Sequence, residues 1–167
     1  MPTYTVHFGF SQRFPFSAAE AYEWCTDYDA GDIALEGLKG TRRIEWTDDD
    51  TVILTDTIDT DGRKVTKVKV VRLYPKLLFW TNTRISGPGM YSQFIYQIVP
   101  EGKNTSRLDY NGAQVEEAEK TPTASQIAGR SKQLTEEDSR AWVNLAAAMK
   151  KDLARPTSRG APGSRAH

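Results

Sequence analysis

From Tyr4 to Phe10 the chain alternates with period two: Tyr4, Val6, Phe8 and Phe10 fall on one face, and Thr5, His7 and Gly9 on the other. That alternation predicts a half-buried strand. Phe14-Pro15-Phe16 breaks it, and Ser17-Ala18-Ala19-Glu20 follows with capping-box spacing: Ser17 accepts from the backbone N–H three residues on, and Glu20 reaches back to the cap. The helix it opens is predicted to end near Cys25 or Thr26, with Ala18, Ala21, Tyr22 and Cys25 on one stripe and Trp24 beside it. A short helix or turn is expected over Asp29–Leu38.

Beyond Thr41 the period is two again. It predicts strands over Thr41–Trp46, Thr51–Asp59, Arg63–Tyr74, Leu77–Ile85, Met90–Pro100 and Thr105–Val115. Asp61-Gly62, Tyr74-Pro75-Lys76 and Gly87-Pro88-Gly89 sit at the junctions, where tight turns demand such residues, so successive strands should pair antiparallel. Glu116–Leu134 is polar, contains Thr121-Pro122-Thr123, and reads as a linker with a loose helical start. Thr135-Glu136-Glu137-Asp138 then resembles a helix cap with acids in the first turn. Ala141, Trp142, Leu145, Ala148, Met149 and Leu153 recur at helical spacing behind it. After Ala154 the chain is rich in Pro, Gly and Ser. The expected organisation is a single domain over residues 1–154 and a disordered, dispensable tail over 155–167.

The order of elements is strand, two short helices, six strands and one long helix. An antiparallel sheet with one buried face needs an apolar cover, and the last helix is the long amphipathic element available. This predicts an α+β fold: a curved seven-stranded sheet wrapped around the C-terminal helix, with the short helices closing an open edge. That order, the run Phe16-Ser17-Ala18-Ala19-Glu20-Ala21-Tyr22-Glu23-Trp24 with Thr26-Asp27-Tyr28, and the turn Leu73-Tyr74-Pro75-Lys76-Leu77-Leu78-Phe79-Trp80 resemble the START-like, or SRPBCC, helix-grip superfamily. The resemblance covers about Thr3 to Leu153. It implies an apolar ligand held between sheet and last helix, as in lipid-transfer members, with polyketide cyclase/dehydratase chemistry or a protein-interaction role as alternatives. Fold alone does not choose among these.

Strand parity then nominates an inner face. Phe94 and Tyr96 share a side with Ser92 and Ile98, opposite two glutamines; Leu78 and Trp80 share a side with Asn82 and Arg84; Leu108 and Tyr110 oppose Arg107, Asp109 and Asn111. The expected ligand-binding set is Trp80, Phe94, Tyr96, Tyr110, Trp142, Leu145 and Met149, with Arg72 as a charged anchor. The same aromatics could instead interdigitate as a dry core. Small Ala141, Ala146, Ala147 and Ala148 on the covering helix favour a void. Arg72 is assigned inward because Lys67 and Lys69 on the same strand are taken as its solvent face. It would need an anion there, Asp56 or a ligand carboxylate or phenolate; a bulge or a rim position would turn it outward instead. If the protein is an enzyme, Asp56, Arg72 and Tyr110 are the acid–base candidates, though no spacing marks them as such.

Composition narrows the classes. The 167 residues are 38% hydrophobic and 26% charged, an ordinary globular mixture. Basic and acidic side chains are both 22, and setting aside the three arginines of the tail leaves the body net acidic by about three, which argues against nucleic acid as partner. His7 and His167 are the only histidines, too few and too far apart for an iron triad or a serine–histidine site, so no metal and no cofactor is expected. Cys25, the single cysteine, cannot form an internal disulfide and reads as a small buried hydrophobe. No leader-like or membrane-spanning run is apparent, and the expected location is the cytoplasm. A protein partner or a homodimer remains open.

Overall fold

The computed structural model describes residues 1–154; the expected tail lies outside the described residues. The elements are β1 (Thr3–Phe14), α1 (Ala18–Thr26), α2 (Asp32–Leu35), β2 (Gly40–Asp48), β3 (Thr51–Thr60), β4 (Arg63–Tyr74), β5 (Phe79–Ser86), β6 (Gln93–Gly102), β7 (Thr105–Glu117) and α3 (Ala124–Leu153). The strands form one antiparallel sheet in the order β1-β7-β6-β5-β4-β3-β2. Six strands follow as a meander, and β1 closes onto β7 through twelve paired positions from Thr3↔Glu117 to Phe14↔Ser106. This is the expected helix-grip architecture.

Local chemistry accounts for the joints. Ser17 Oγ accepts from Glu20 N at 3.3 Å and Glu20 Oε2 accepts from Ser17 N at 3.1 Å, so the capping box starts α1 where the sequence indicates. The β3–β4 hairpin turns through Asp61 (φ 51°) and Gly62 (φ 76°), the paired positive angles of a two-residue type I′ turn. Pro75–Leu77 forms a 3₁₀ turn, so β5 begins at Phe79, two residues later than expected.

The long helix begins eleven residues before the expected cap. Thr123 is the N-cap of α3, with Gln126 N to Thr123 Oγ1 at 3.2 Å and Thr123 N to Gln126 Oε1 at 2.8 Å. Thr135, expected to cap, lies inside the helix and donates to the Ser131 carbonyl at 2.9 Å. The linker reading of Glu116–Leu134 is therefore corrected: its second half is helix, stapled to the sheet by Ser131 Oγ to His7 O at 2.7 Å and by Arg130 to Glu116.

The core sits on the concave face. Val6, Phe8, Val52, Leu54, Val71, Leu73, Trp80, Phe94, Ile98, Leu108 and Tyr110 are buried there under α1 and α3. Gly112 is a packing requirement, since a Cβ on it would lie 2.6 Å from the Phe8 ring. On α3 only Leu134 and Met149 are fully covered; Trp142, Leu145 and Ala148 are partly buried. The helix spans the sheet without sealing against it along its whole length. Among the described residues, no helix is long and apolar enough to cross a membrane.

Candidate functional site

The space left beneath α3 is a cavity of about 550 Å³, within the roughly 300–1,000 Å³ common for small-molecule sites. Its base is aromatic. Trp80 and Tyr96 stack with ring centroids 4.8 Å apart, Tyr110 meets Tyr96 edge-on at 5.1 Å, and Trp142 of α3 leans over Tyr96 at 6.0 Å. Phe94 continues the surface beside Tyr110 at 6.1 Å. The alternation of β5, β6 and β7 puts these rings on one side, and the register supports it: Trp80 pairs with Tyr96, and Tyr96 with Tyr110. Directly opposite residues share a face, so three strands contribute one aromatic row.

Trp80, Phe94, Tyr96, Tyr110, Trp142 and Leu145, all named from the sequence, line the cavity. Met149 does not; it is fully buried in the core further along α3. Arg72 is a correction. It lies on the outer face of β4, exposed, with Nη1 donating to Thr51 Oγ1 at 3.1 Å, and so loses both its ligand-anchor and its acid–base roles. The β4 parity is reversed as a whole: Lys67, Lys69, Val71 and Leu73 face inward, and Arg72 and Tyr74 face solvent. Asp56 is inside and fully buried, but its partners are Arg42, at 2.7 and 2.9 Å, and Lys69, at 2.6 Å. Burial would raise its carboxyl, yet the two cations outweigh this and hold it below the usual carboxylate range. A carboxylate so fully engaged is a poor proton acceptor and does not itself line the cavity.

Tyr110 keeps its place with a partner that sequence reasoning missed. Its hydroxyl donates to Asp138 Oδ2 at 2.6 Å, and Asp138 projects from α3 into the cavity. Burial raises the Asp138 carboxyl, as do Glu137 and Glu36, against the opposing pull of Tyr110 and Arg84. Burial likewise pushes the Tyr96 and Tyr110 phenols far up, so both stay protonated. Cys25 also lines the cavity, its thiol raised by burial and by Asp27 and Asp32, and it remains an unreactive thiol. No group of three or more His, Cys, Asp or Glu among the described residues could hold a metal ion. A separate surface depression of about 710 Å³, near Phe14 and Pro15, is bordered by Arg13 and Glu101, which pair at 3.2 Å. It lacks the aromatic row.

Two wall residues were legible but not singled out: Asn82 and Arg84 follow Trp80 on the inward parity of β5. Arg84 Cζ lies 5.7 Å from the Phe94 ring centroid, a cation–π contact, and its Nη1 donates to Pro88 O at 3.0 Å.

No family model matches the chain. No curated protein matches it either. Solved structures do. The Zhui aromatase/cyclase from Streptomyces sp. R1128 superposes with a TM-score of 0.73 at 13% identity, over 94% of this chain and 100% of that one. Norcoclaurine synthase from Thalictrum flavum, in complex with dopamine and hydroxybenzaldehyde, gives 0.67 at 14% identity over 94% and 91%. A START superfamily protein from Mycobacterium smegmatis gives 0.61 at 14% over 89% and 97%. At such identities the likeness is one of fold, and it agrees with the sheet order and the gripped helix: the chain has the START-like, or SRPBCC, helix-grip fold.

Proposed function

We propose that the protein binds a small aromatic or apolar molecule in the cavity beneath α3 and acts as its carrier or sensor. One observation carries this reading: a void of about 550 Å³ bordered by the Trp80–Tyr96–Tyr110 row and roofed by Trp142. Stacked rings offer area and edge-to-face geometry to another ring. Support of a second kind comes from the norcoclaurine synthase structure, a protein of the same fold with small aromatic molecules bound.

The test is native mass spectrometry of protein purified from its own source, followed by extraction and by thermal melts with added ligand. A retained aromatic or apolar molecule is expected, and at about 100 times its dissociation constant it should stabilise the fold by about 2.7 kcal/mol. Ala141→Phe places a ring in the void and should abolish binding in a folded protein. No retained molecule, together with no thermal shift across aromatic and lipid probes, would overturn the reading and favour a protein partner.

A second reading, acid–base chemistry on the bound molecule, is favoured by the short Tyr110–Asp138 hydrogen bond and the raised Asp138 carboxyl. A carboxyl with a raised pKa is better suited to give and take protons near neutrality. Incubating the extracted molecule with fresh protein decides it: product formed by wild type and lost in Asp138→Asn and Tyr110→Phe makes the protein an enzyme.

A further inference from the structure

The cations around the cavity are not equally answered. Arg42 and Lys69 share Asp56, Arg42 also reaches Glu36 at 3.2 Å, and Arg130 is held by Glu116 and Glu137. Lys67 and Arg84 line the same cavity and join no ion pair among the described residues. Asp138 is the acid that acts on Arg84 from α3, and its Oδ2 is taken by Tyr110.

Arg84 is held as if to present one edge. Its Nη1 is tied to Pro88 O, and its plane is positioned by Phe94. Gly89 (φ +71°) lets the β5–β6 loop close around it, since a Cβ there would lie 2.4 Å from Nη1. The opposite edge, Nε with Nη2, carries no hydrogen bond, and Nε is buried. Two residues earlier on the same face, Asn82 Oδ1 is also buried without a donor. Buried donors and acceptors are nearly always satisfied, so two orphans on cavity-lining residues two positions apart on β5 call for a partner. The Nε/Nη2 edge of a guanidinium matches the two oxygens of a carboxylate. Burial weakens the hold of Lys67 and Arg84 on their protons, and a bound anion would restore it.

We propose that the molecule taken by this cavity is an aromatic carboxylate. On binding, Arg84 and Asn82 shift to uncover their buried Nε and Oδ1: the carboxylate accepts from the Nε/Nη2 edge of Arg84 beside Lys67, the ring enters the Phe94–Tyr110–Trp142 surface, and a ligand hydroxyl or N–H donates to Asn82 Oδ1. The proposal rests on the binding function above and names its ligand class.

The full chain is titrated with 2-naphthoate and with 2-naphthamide, its uncharged counterpart, following quenching of tryptophan fluorescence. The carboxylate should bind on the order of tenfold or more tightly than the amide. Arg84→Met should bring naphthoate down to the level of naphthamide, while Arg72→Met on the outer face keeps the preference. Equal binding of the two probes, or a preference that survives Arg84→Met, overturns the proposal while leaving an apolar binding site standing. Failure of both probes to bind removes the aromatic site and the proposal together. If circular dichroism finds Arg84→Met unfolded, Lys67→Met makes the same comparison, with a reduced preference expected and an unchanged one overturning.

Discussion

The cavity has two charged walls built on opposite rules. Where β2, β3 and β4 meet, Asp56 sits fully buried between Arg42 and Lys69, and Glu36 adds a second carboxylate to Arg42. Every charge in that cluster has a counter-charge inside the protein. On β5, one strand further along the sheet, Arg84 has a backbone carbonyl and an aromatic ring, and Lys67 on β4 has no ion-pair partner among the described residues. The first wall is complete by itself and serves the fold. The second is incomplete by itself, which is the condition expected where an external group is to be received.

Removing the anion from the complete wall should have the largest effect. Asp56→Asn leaves buried Arg42 and partly buried Lys69 without their shared carboxylate, and breaking a buried ion pair from one side costs about 3–5 kcal/mol. Urea unfolding of the variant should register a loss in that range. A loss below about 1 kcal/mol would mean that water or Glu36 already answers these cations, and the contrast between the walls would disappear.

The two walls also differ in how well the sequence announces them. The aromatic row was legible, because β5, β6 and β7 each alternate cleanly and rings at Trp80, Phe94, Tyr96 and Tyr110 fall on one parity. The β4 reading failed on a physical assumption, that Lys67 and Lys69 mark solvent. The information needed to avoid this was local. A two-residue Asp61-Gly62 turn pairs Thr60 with Arg63, and from there Asp56 with Lys67, Leu54 with Lys69 and Val52 with Val71. Facing residues share a side, so an inward Val52-Leu54-Asp56 row places the lysines inward as well. The cap of α3 was also written in the chain, as Thr123-Ala124-Ser125-Gln126, but the polar composition of the following turn obscured it. What no local pattern contains is the meeting of Tyr110 with Asp138, 28 residues apart. It depends on how α3 is laid across the sheet.

At the incomplete wall the expected sign is different. Arg84→Met exchanges a partly buried cation without an ion-pair partner for a thioether of similar reach, and such a change removes a desolvation cost along with one hydrogen bond and one cation–π contact. The net change in ligand-free protein should lie within about 1 kcal/mol of zero, on the stabilising side. Differential scanning calorimetry of stripped protein measures it. A loss comparable to that of Asp56→Asn would show Arg84 to be a structural cation, with its wall no different in kind from the other.

The smallest effect expected is the most specific to the site, because it depends on pH. Asp138 is raised, chiefly by burial and then by Glu137 and Glu36, while Tyr110 and Arg84 act in the opposite sense. A group whose folded pKa lies above its unfolded value contributes stability that is present below the unfolded pKa and lost as pH rises through the folded one. At neutral pH ionised Asp138 therefore stands at a cost. Asp138→Asn removes the charge and keeps an oxygen to accept from Tyr110, so the variant should melt about 2–4 °C above wild type at pH 7. The gap should narrow as pH falls towards the unfolded value of about 3.9 and close below it, where the carboxyl is protonated in both states. Asp56 runs the other way: its depressed pKa supports the fold above its unfolded value and ceases to do so as acid protonates it. Adding Arg84→Met should push Asp138 further up and extend the pH range over which wild-type Asp138 is a liability. Melting curves for the single and double variants between pH 4 and 8 decide the point, and a gap independent of pH would mean that Asp138 does not titrate in the field of this wall.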